Sequence, residues 1–387
     1  MTQRATTTVT GSEGPQVLRV IEPMLRGPSG HYAEFVRALA ARSEGVFSRI
    51  EVVADPRAEG FLPSLGGAVP VAAHALPRGP AGELRAVRAA LADGHRTLVL
   101  TANASHAFLA ETAAFVGGDA LARLSLFVHW PLVKPQARLA LALARRVRAR
   151  SLFLAPTRGV RDALAEADCA RALQVAYPAT RAAGCRLRAP FRHLLMAGAA
   201  RINKGLDVVA GLAERLARDG RDLPLLVQVS PKHVDRHGSR EDAVVARLLA
   251  ARYPGLVADP KAPDRGEYAA RFEGALVLAP YERAKFADGV SGVVLDALLH
   301  GAPVIATSGT WAGDVVERFD AGVVLRERTA EQLAAAVDRV IARWDHYAAC
   351  AARASDALAA EHDPRALARA IAAAPAPATV RASRGGL

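Results

Sequence analysis

The feature that most constrains this chain is a regular exchange of short apolar, β-branched runs with longer stretches of helical period. The runs "VLRVIEP", "RIEVVAD", "RTLVLTA", "LSLFVHW" and "SLFLAPT" end in turn or polar residues, and segments such as "GHYAEFVRALAARSEG" lie between several of them. A short continuous apolar run suits a strand buried on both faces, and an amphipathic helix suits its cover, so the alternation is that of βαβ units on a parallel sheet. After "LQVAYPATRAAGCRLRAP" the rhythm restarts with "RHLLMAGAA", "LPLLVQVS", "GLVADP", "GALVLAP", "APVIATS" and "AGVVLR". Two such sets predict two doubly wound, Rossmann-like α/β domains joined near Tyr177 to Pro190, with a ligand cleft between them. At 387 residues the chain exceeds what one core usually supports. The expected boundaries are an unstructured start over 1–16, a first domain over 17–180, a second over 181–355, a helix over 356–373 returning to the first domain, and an unstructured tail over 374–387.

Composition narrows the function classes. With 51% hydrophobic and 23% charged residues the chain reads as globular, and it has no apolar run of the roughly 20 residues that a membrane span needs. The start, "MTQRATTTVTGSEGPQ", carries no apolar h-region, so no signal peptide is expected. Cys169, Cys185 and Cys350 form no C-x-x-C pair, which fits a reducing cytoplasm and argues against structural zinc. The net charge of +12 would draw nucleic acid, anionic lipid or a phosphorylated ligand. Its densest cluster, "ARRVRAR", ends a predicted helix "QARLALALARRVRAR", either as a solvated helix end or as a contact with anionic head groups. Nucleic acid is not expected, because no zinc-finger spacing or RNP-like strand accompanies the charge.

The most informative stretch is "DGVSGVVLDALLHGAPVIATSGTW", Asp288 to Trp311. A strand at Ala275 to Ala279 leads into a polar loop, Ser291 stands at an N-cap position, and the helix runs to about His300. Gly301 stops it and Pro303 opens the next strand. A helix start at the carboxyl end of a parallel strand offers free N–H groups and positive dipole to a phosphate, here around Ser291, Gly292 and Val293. Gly289 and Gly292 leave room for a close ligand. Asp288 and Asp296 straddle the helix start and would point toward one ligand lying across it. Their carboxylates suit vicinal hydroxyls, as on a ribose or hexose. The plainer reading is two carboxylates that cap and solvate a helix.

Upstream, "HLLMAGAARINKGLDVVAGLAERL" reads as a strand, a tight loop carrying Arg201 and Lys204, and an amphipathic helix. Together the two segments resemble the Glu-x7-Glu region and the basic Lys-Gly loop of retaining GT-B glycosyltransferases, particularly glycosyltransferase family four. In Asp288-x7-Asp296 each acid is one methylene shorter than in that pattern, and the commoner arginine position falls on Ala199. The resemblance implies a GT-B fold and transfer of a sugar from a nucleotide-diphosphate donor to an acceptor hydroxyl with retention of configuration. It implies that Asp288 contacts the donor sugar, with Glu282 the alternative, and that Asp296 contacts the ribose. Arg201 and Lys204 would neutralise the leaving diphosphate. Gly30, in the loop from Gly27, would lie beneath the donor phosphates and acceptor. His129, at the end of "LSLFVHW", would face the donor sugar, with His106 in "TANASHAF" the competing histidine.

No D-x-D occurs in the chain, so metal-independent transfer without a cofactor is expected. The expected partners are the nucleotide sugar and a saccharide or lipid-linked acceptor, met in the cytoplasm or at the inner membrane face during cell-surface polysaccharide or glycolipid synthesis. A nucleotide-sugar epimerase of the same fold would need no acceptor, and a non-catalytic binding protein would hold nucleotide without turnover. The donor's base and hexose would be set by the loops Val229–His233 and Phe286–Val290.

Overall fold

The computed structural model describes residues 16–28, 30–77, 79–113, 120–131, 134–229 and 239–373. The expectations for 1–15, for the tail 374–387 and for 230–233 of the donor loop lie outside the described residues.

The first half follows the order β1 (Gln16–Glu22), α1 (His31–Arg42), β2 (Phe47–Ala54), β3 (Val71–Ala75), α2 (Pro80–Ala92), β4 (Arg96–Val99), α3 (Ala104–Ala113), β5 (Leu124–Phe127), α4 (Pro135–Leu143), α5 (Arg145–Arg150), β6 (Leu152–Ala155), α6 (Arg158–Glu166) and β7 (Ala172–Gln174). Its seven strands are all parallel and lie in the order β3-β2-β1-β4-β5-β6-β7. The second half continues with β8 (His193–Met196), α7 (Leu206–Arg218), β9 (Leu225–Gln228), α8 (Ser239–Ala250), β10 (Leu256–Asp259), α9 (Arg265–Ala270), β11 (Ala275–Ala279), α10 (Arg283–Phe286), α11 (Gly292–Leu299), β12 (Val304–Thr307), α12 (Trp311–Phe319), β13 (Gly322–Leu325), α13 (Ala330–Ala342), α14 (Trp344–Glu361) and α15 (Pro364–Ala372). Its parallel sheet has the order β10-β9-β8-β11-β12-β13. In each sheet the order reverses beside the first strand, between β1 and β4 and between β8 and β11. The carboxyl ends of those pairs open the crevice where doubly wound sheets bind ligands.

Strands β5, β6 and β12 are buried along their whole length, which is why they read as mostly apolar runs. Edge strands β3 and β7 escaped the sequence pattern because they are short and mostly unburied. The helix predicted through "QARLALALARRVRAR" is interrupted at Ala144. Glu111 explains the break: its carboxylate accepts from the Val147 amide and from Arg146 Nε, both at 2.9 Å, and so caps a new helix start.

Two chain segments cross between the halves. One passes through Tyr177 and Ala179, and the other leaves α14, which packs on α11 and α12, and enters α15. Leu367, Ala368 and Ile371 of α15 are fully buried in the first core. The crossings are tied together where His362 Nδ1 donates to the Tyr177 carbonyl at 2.6 Å and the Ala179 amide donates to the His362 carbonyl at 3.0 Å.

Candidate functional site

Arg201 and Lys204 follow β8, and Glu282, Asp288 and Ser291 follow β11, so both predicted loops emerge at the switch point of the second sheet. Glycine lets them meet. Gly198, at φ 79°, leaves space that a Cβ would fill to within 3.0 Å of Val293 Cγ2 and 3.9 Å of Lys204 Nζ. Gly205, at φ 96°, lies against Pro280 so closely that any Cβ would overlap it. The Glu282 amide also donates to the Asn203 carbonyl at 2.9 Å.

Lys204 has no carboxylate partner among the described residues. Its ammonium lies 6.0 Å from the centroid of the Tyr281 ring. Burial, then the neighbouring Arg201 charge, lowers its pKa to about 8. An arriving phosphate would offset both effects by favouring the charged ammonium.

On the facing loop, Ser291 Oγ accepts from the Val294 amide at 3.3 Å and its hydroxyl donates to Tyr281 Oη at 3.2 Å. The Gly292 and Val293 amides belong to the first helical turn, which has no intrahelical acceptors for them, and nothing lies within 4 Å of the space beside Gly292. Asp296 sits one turn further along, half-buried, its carboxylate accepting from Tyr268 Oη at 3.0 Å. Burial raises its pKa from 3.8 to about 7, with Glu34 adding to the rise and the Tyr268 hydrogen bond and Arg265 opposing it.

Asp288 packs against the other half. Its side chain lies against Gly159 at the start of α6, where any Cβ would overlap the carboxylate, and its carbonyl accepts from Thr157 Oγ1 at 3.1 Å. The free N–H groups and dipole of the Thr157-capped helix favour a carboxylate there. Glu282 is the half-buried N-cap residue of α10 and makes no side-chain capping bond.

In the first half, His129 follows β5 and is buried against Phe127 and Tyr177. Its Nε2–H donates to the Leu100 carbonyl at 2.9 Å, and burial lowers its pKa to about 4. The ring is therefore neutral at pH 7, with the Nδ1 lone pair available to a hydroxyl. His106 belongs to another group: its Nδ1 accepts from the Asn103 amide at 3.3 Å, and its Nε2 is 3.8 Å from Glu83. Gly30, at φ 97°, occupies the N-cap of α1 with open space beside it.

Two residues escaped the sequence reading. Glu22 ends β1 fully buried, accepting from the Met24 amide at 2.8 Å and from the Thr101 hydroxyl, and burial raises its pKa to about 7. A carboxylate closing the apolar run "VLRVIE" was the available signal. Arg328 clamps both loops of the site. Its Nε donates to the Pro280 carbonyl at 2.8 Å, its Nη1 to Asp207 at 3.1 Å, and its Nη2 to the Ile202 carbonyl and to Asp207. No sequence signal separated it from the other arginines.

Two facing Rossmann-like halves, with phosphate-competent loops at the switch point of the second, define a protein of the GT-B fold. The chain is similar in structure to Anabaena HepE in complex with UDP and glucose (TM-score 0.65, 14% identity, covering 92% of this chain and 98% of that one). It is likewise similar to sucrose-phosphate synthase from Thermosynechococcus elongatus (TM-score 0.63, 14% identity, 92% and 97% covered). Trehalose-6-phosphate synthase OtsA matches with TM-score 0.66 at 12% identity, with 92% and 98% covered. No family model matches the sequence, and no curated protein matches it.

Arg328→Ala leaves the Pro280 and Ile202 carbonyls without this donor and should cost about 1–3 kcal/mol, read as a lower urea midpoint. Arg328→Lys should recover little, because an ammonium cannot span the same fork of acceptors; full recovery would show that charge alone suffices. Asp296 holds its proton more tightly when folded, so its contribution is complete below about pH 4 and is lost as pH rises through about 7. Asp296→Asn should flatten that part of the stability profile, and an unchanged slope would assign the fall to other groups such as Glu22.

Proposed function

We propose that this protein is a retaining, metal-independent glycosyltransferase that moves a sugar from a nucleotide-diphosphate donor to an acceptor hydroxyl. The observation that carries the reading is the meeting of Arg201 and Lys204 with the open first turn of α11, through the Gly198–Val293 contact, at the switch point of the second sheet. Phosphate there would gain two cations and two backbone amides. The known structures of this fold that bind UDP, glucose or UDP-glucose favour a uridine diphosphate donor.

In this reading Asp296 accepts from ribose hydroxyls, and ligand hydrogen bonds join that of Tyr268 in favouring its ionised form. His129 accepts a donor-sugar hydroxyl at Nδ1. With Asp288 against α6, Glu282 takes the sugar contact, and Asp288 holds the two halves together over the bound donor. As the bond to the diphosphate breaks, Arg201 and Lys204 receive the developing charge. The departing phosphate then assists deprotonation of the acceptor, and closure of the cleft limits hydrolysis.

The acceptor side is read as a face that meets anionic membrane, consistent with a lipid-linked acceptor. Among the described residues no helix is long and apolar enough to cross a membrane. Helix α4 instead exposes Leu139 and Leu143, one turn apart, at 63% and 53%, next to α3 with its exposed Phe108. Lys134, Arg138 and Arg145 carry no ion-pair partner among the described residues. Arg146 and Arg148 are committed instead to Glu111 and Asp168, so the basic cluster divides between structure and surface. Cations near an anionic bilayer contribute about 1 kcal/mol each, and the two leucines add apolar burial.

A thermal-shift panel tests the donor site. UDP or UDP-glucose at a hundred times its dissociation constant should add about 2.7 kcal/mol of apparent stability to the wild type, with or without EDTA, and much less to Lys204→Ala. If no nucleotide shifts the wild type, the transferase reading fails; if EDTA removes the shift, metal independence fails. For the membrane face, the protein should float with phosphatidylglycerol vesicles and not with phosphatidylcholine vesicles, and Leu139→Glu with Leu143→Glu should release it. Equal flotation of the double variant would refute this surface.

A further inference from the structure

Three metal-ligating side chains of different kinds converge far from the nucleotide crevice. Asp320 follows α12, two residues before the amino end of β13, whereas Arg201 and Ser291 follow the carboxyl ends of β8 and β11. His346 and Cys350 are four residues apart and so share one face of α14. His346 Nε2 lies 2.6 Å from Asp320 Oδ2 and 3.7 Å from Cys350 Sγ, and the three ligand atoms fall within 4.8 Å of one another. Asp320 adopts a left-handed conformation, φ 51°, unusual for a residue other than glycine.

The geometry excludes a nucleophilic relay. Such a relay needs the carboxylate on one imidazole nitrogen and the thiol on the other, whereas here both approach Nε2. A single proton on Nε2 cannot point at both partners, but a cation placed among the three atoms can serve them together.

We propose that Asp320, His346 and Cys350 form a binding site for a divalent cation of the zinc class, pinning the turn between α12 and β13 to α14. A thiolate, an imidazole and a carboxylate suit zinc better than magnesium or calcium, which prefer oxygen ligands. Zinc bonds of about 2.0–2.3 Å in tetrahedral array set neighbouring ligand atoms roughly 3.3–3.6 Å apart. The sulfur and nitrogen already stand near that separation. The carboxylate, 2.6 Å from His346 Nε2, must shift by about 0.7 Å, which its 63% side-chain exposure permits. Arg353 Nη2 donates to Cys350 Sγ at 3.0 Å and holds the sulfur beside the imidazole. Two anionic ligands and a neutral imidazole balance the charge of the cation, and solvent completes its coordination. The site lies at the amino ends of the strands, apart from the crevice, and takes no part in the proposed transfer.

Titration of the chelator-treated full chain with cobalt, followed by zinc, tests the site. The wild type should develop a thiolate-to-cobalt charge-transfer band saturating at one equivalent, and zinc should abolish it. Cys350→Ser should remove the band, Cys185→Ser should retain it, and His346→Ala and Asp320→Asn should each weaken cobalt binding about tenfold or more. Because Cys350 is buried, the substitutions of the two exposed ligands decide the matter if Cys350→Ser fails to fold. No band in the wild type under excess cobalt, a band surviving Cys350→Ser, or unchanged affinity in both His346→Ala and Asp320→Asn would overturn the proposal.

Discussion

Absent side chains allow the two loops at the switch point of the second sheet to meet. At Gly198 and Gly205 the backbone of one loop approaches Val293 and Pro280 of the other too closely for an ordinary residue, and both glycines hold positive φ. Bringing β8 and β11 side by side would not suffice without those contacts. The cations would stand behind the loop, and the open amides of α11 would face a different part of the surface. Arg328 then fixes the distance by bonding backbone carbonyls on both sides.

Burial leaves the site electrically subdued. Lys204 is drawn toward its neutral form, and Asp296 toward its protonated form, by desolvation as the leading cause in each case. In the proposed reaction, a donor placing phosphate beside Lys204 and hydroxyls beside Asp296 would supply the counter-charge and hydrogen bonds that favour the charged forms. Binding and ionisation would thereby be coupled in that reaction.

What the sequence disclosed divides along a physical line. Parallel strands buried on both faces announce themselves as apolar runs, and a capped helix after a strand is local, so the two sheets and the Ser291 helix start were legible. The Lys-Gly pair in the loop after β8 is what singled out Lys204. Features requiring a distant partner were hidden. Asp288 is held by Thr157 and Gly159 from the other half, Ala144 breaks its helix because Glu111 caps the next one, and Arg328 acts on carbonyl groups that any residue possesses. The scattered cysteines argued against zinc, yet the fold brings Cys350 together with Asp320 from the end of another helix and His346 from the preceding turn of its own.

The paired crossings at Tyr177 and His362 limit how the halves can move. One covalent strap would act as a swivel, free to twist as well as bend. Two straps joined by hydrogen bonds act as a door with two pins, leaving one easy axis of rotation. The crevice would open and shut like a book whose spine is His362 and Tyr177. The ring of Tyr177 packs against His129, so the page margin and the spine share a residue. A change in hinge angle is therefore felt first at the histidine that faces the sugar in the proposed reaction.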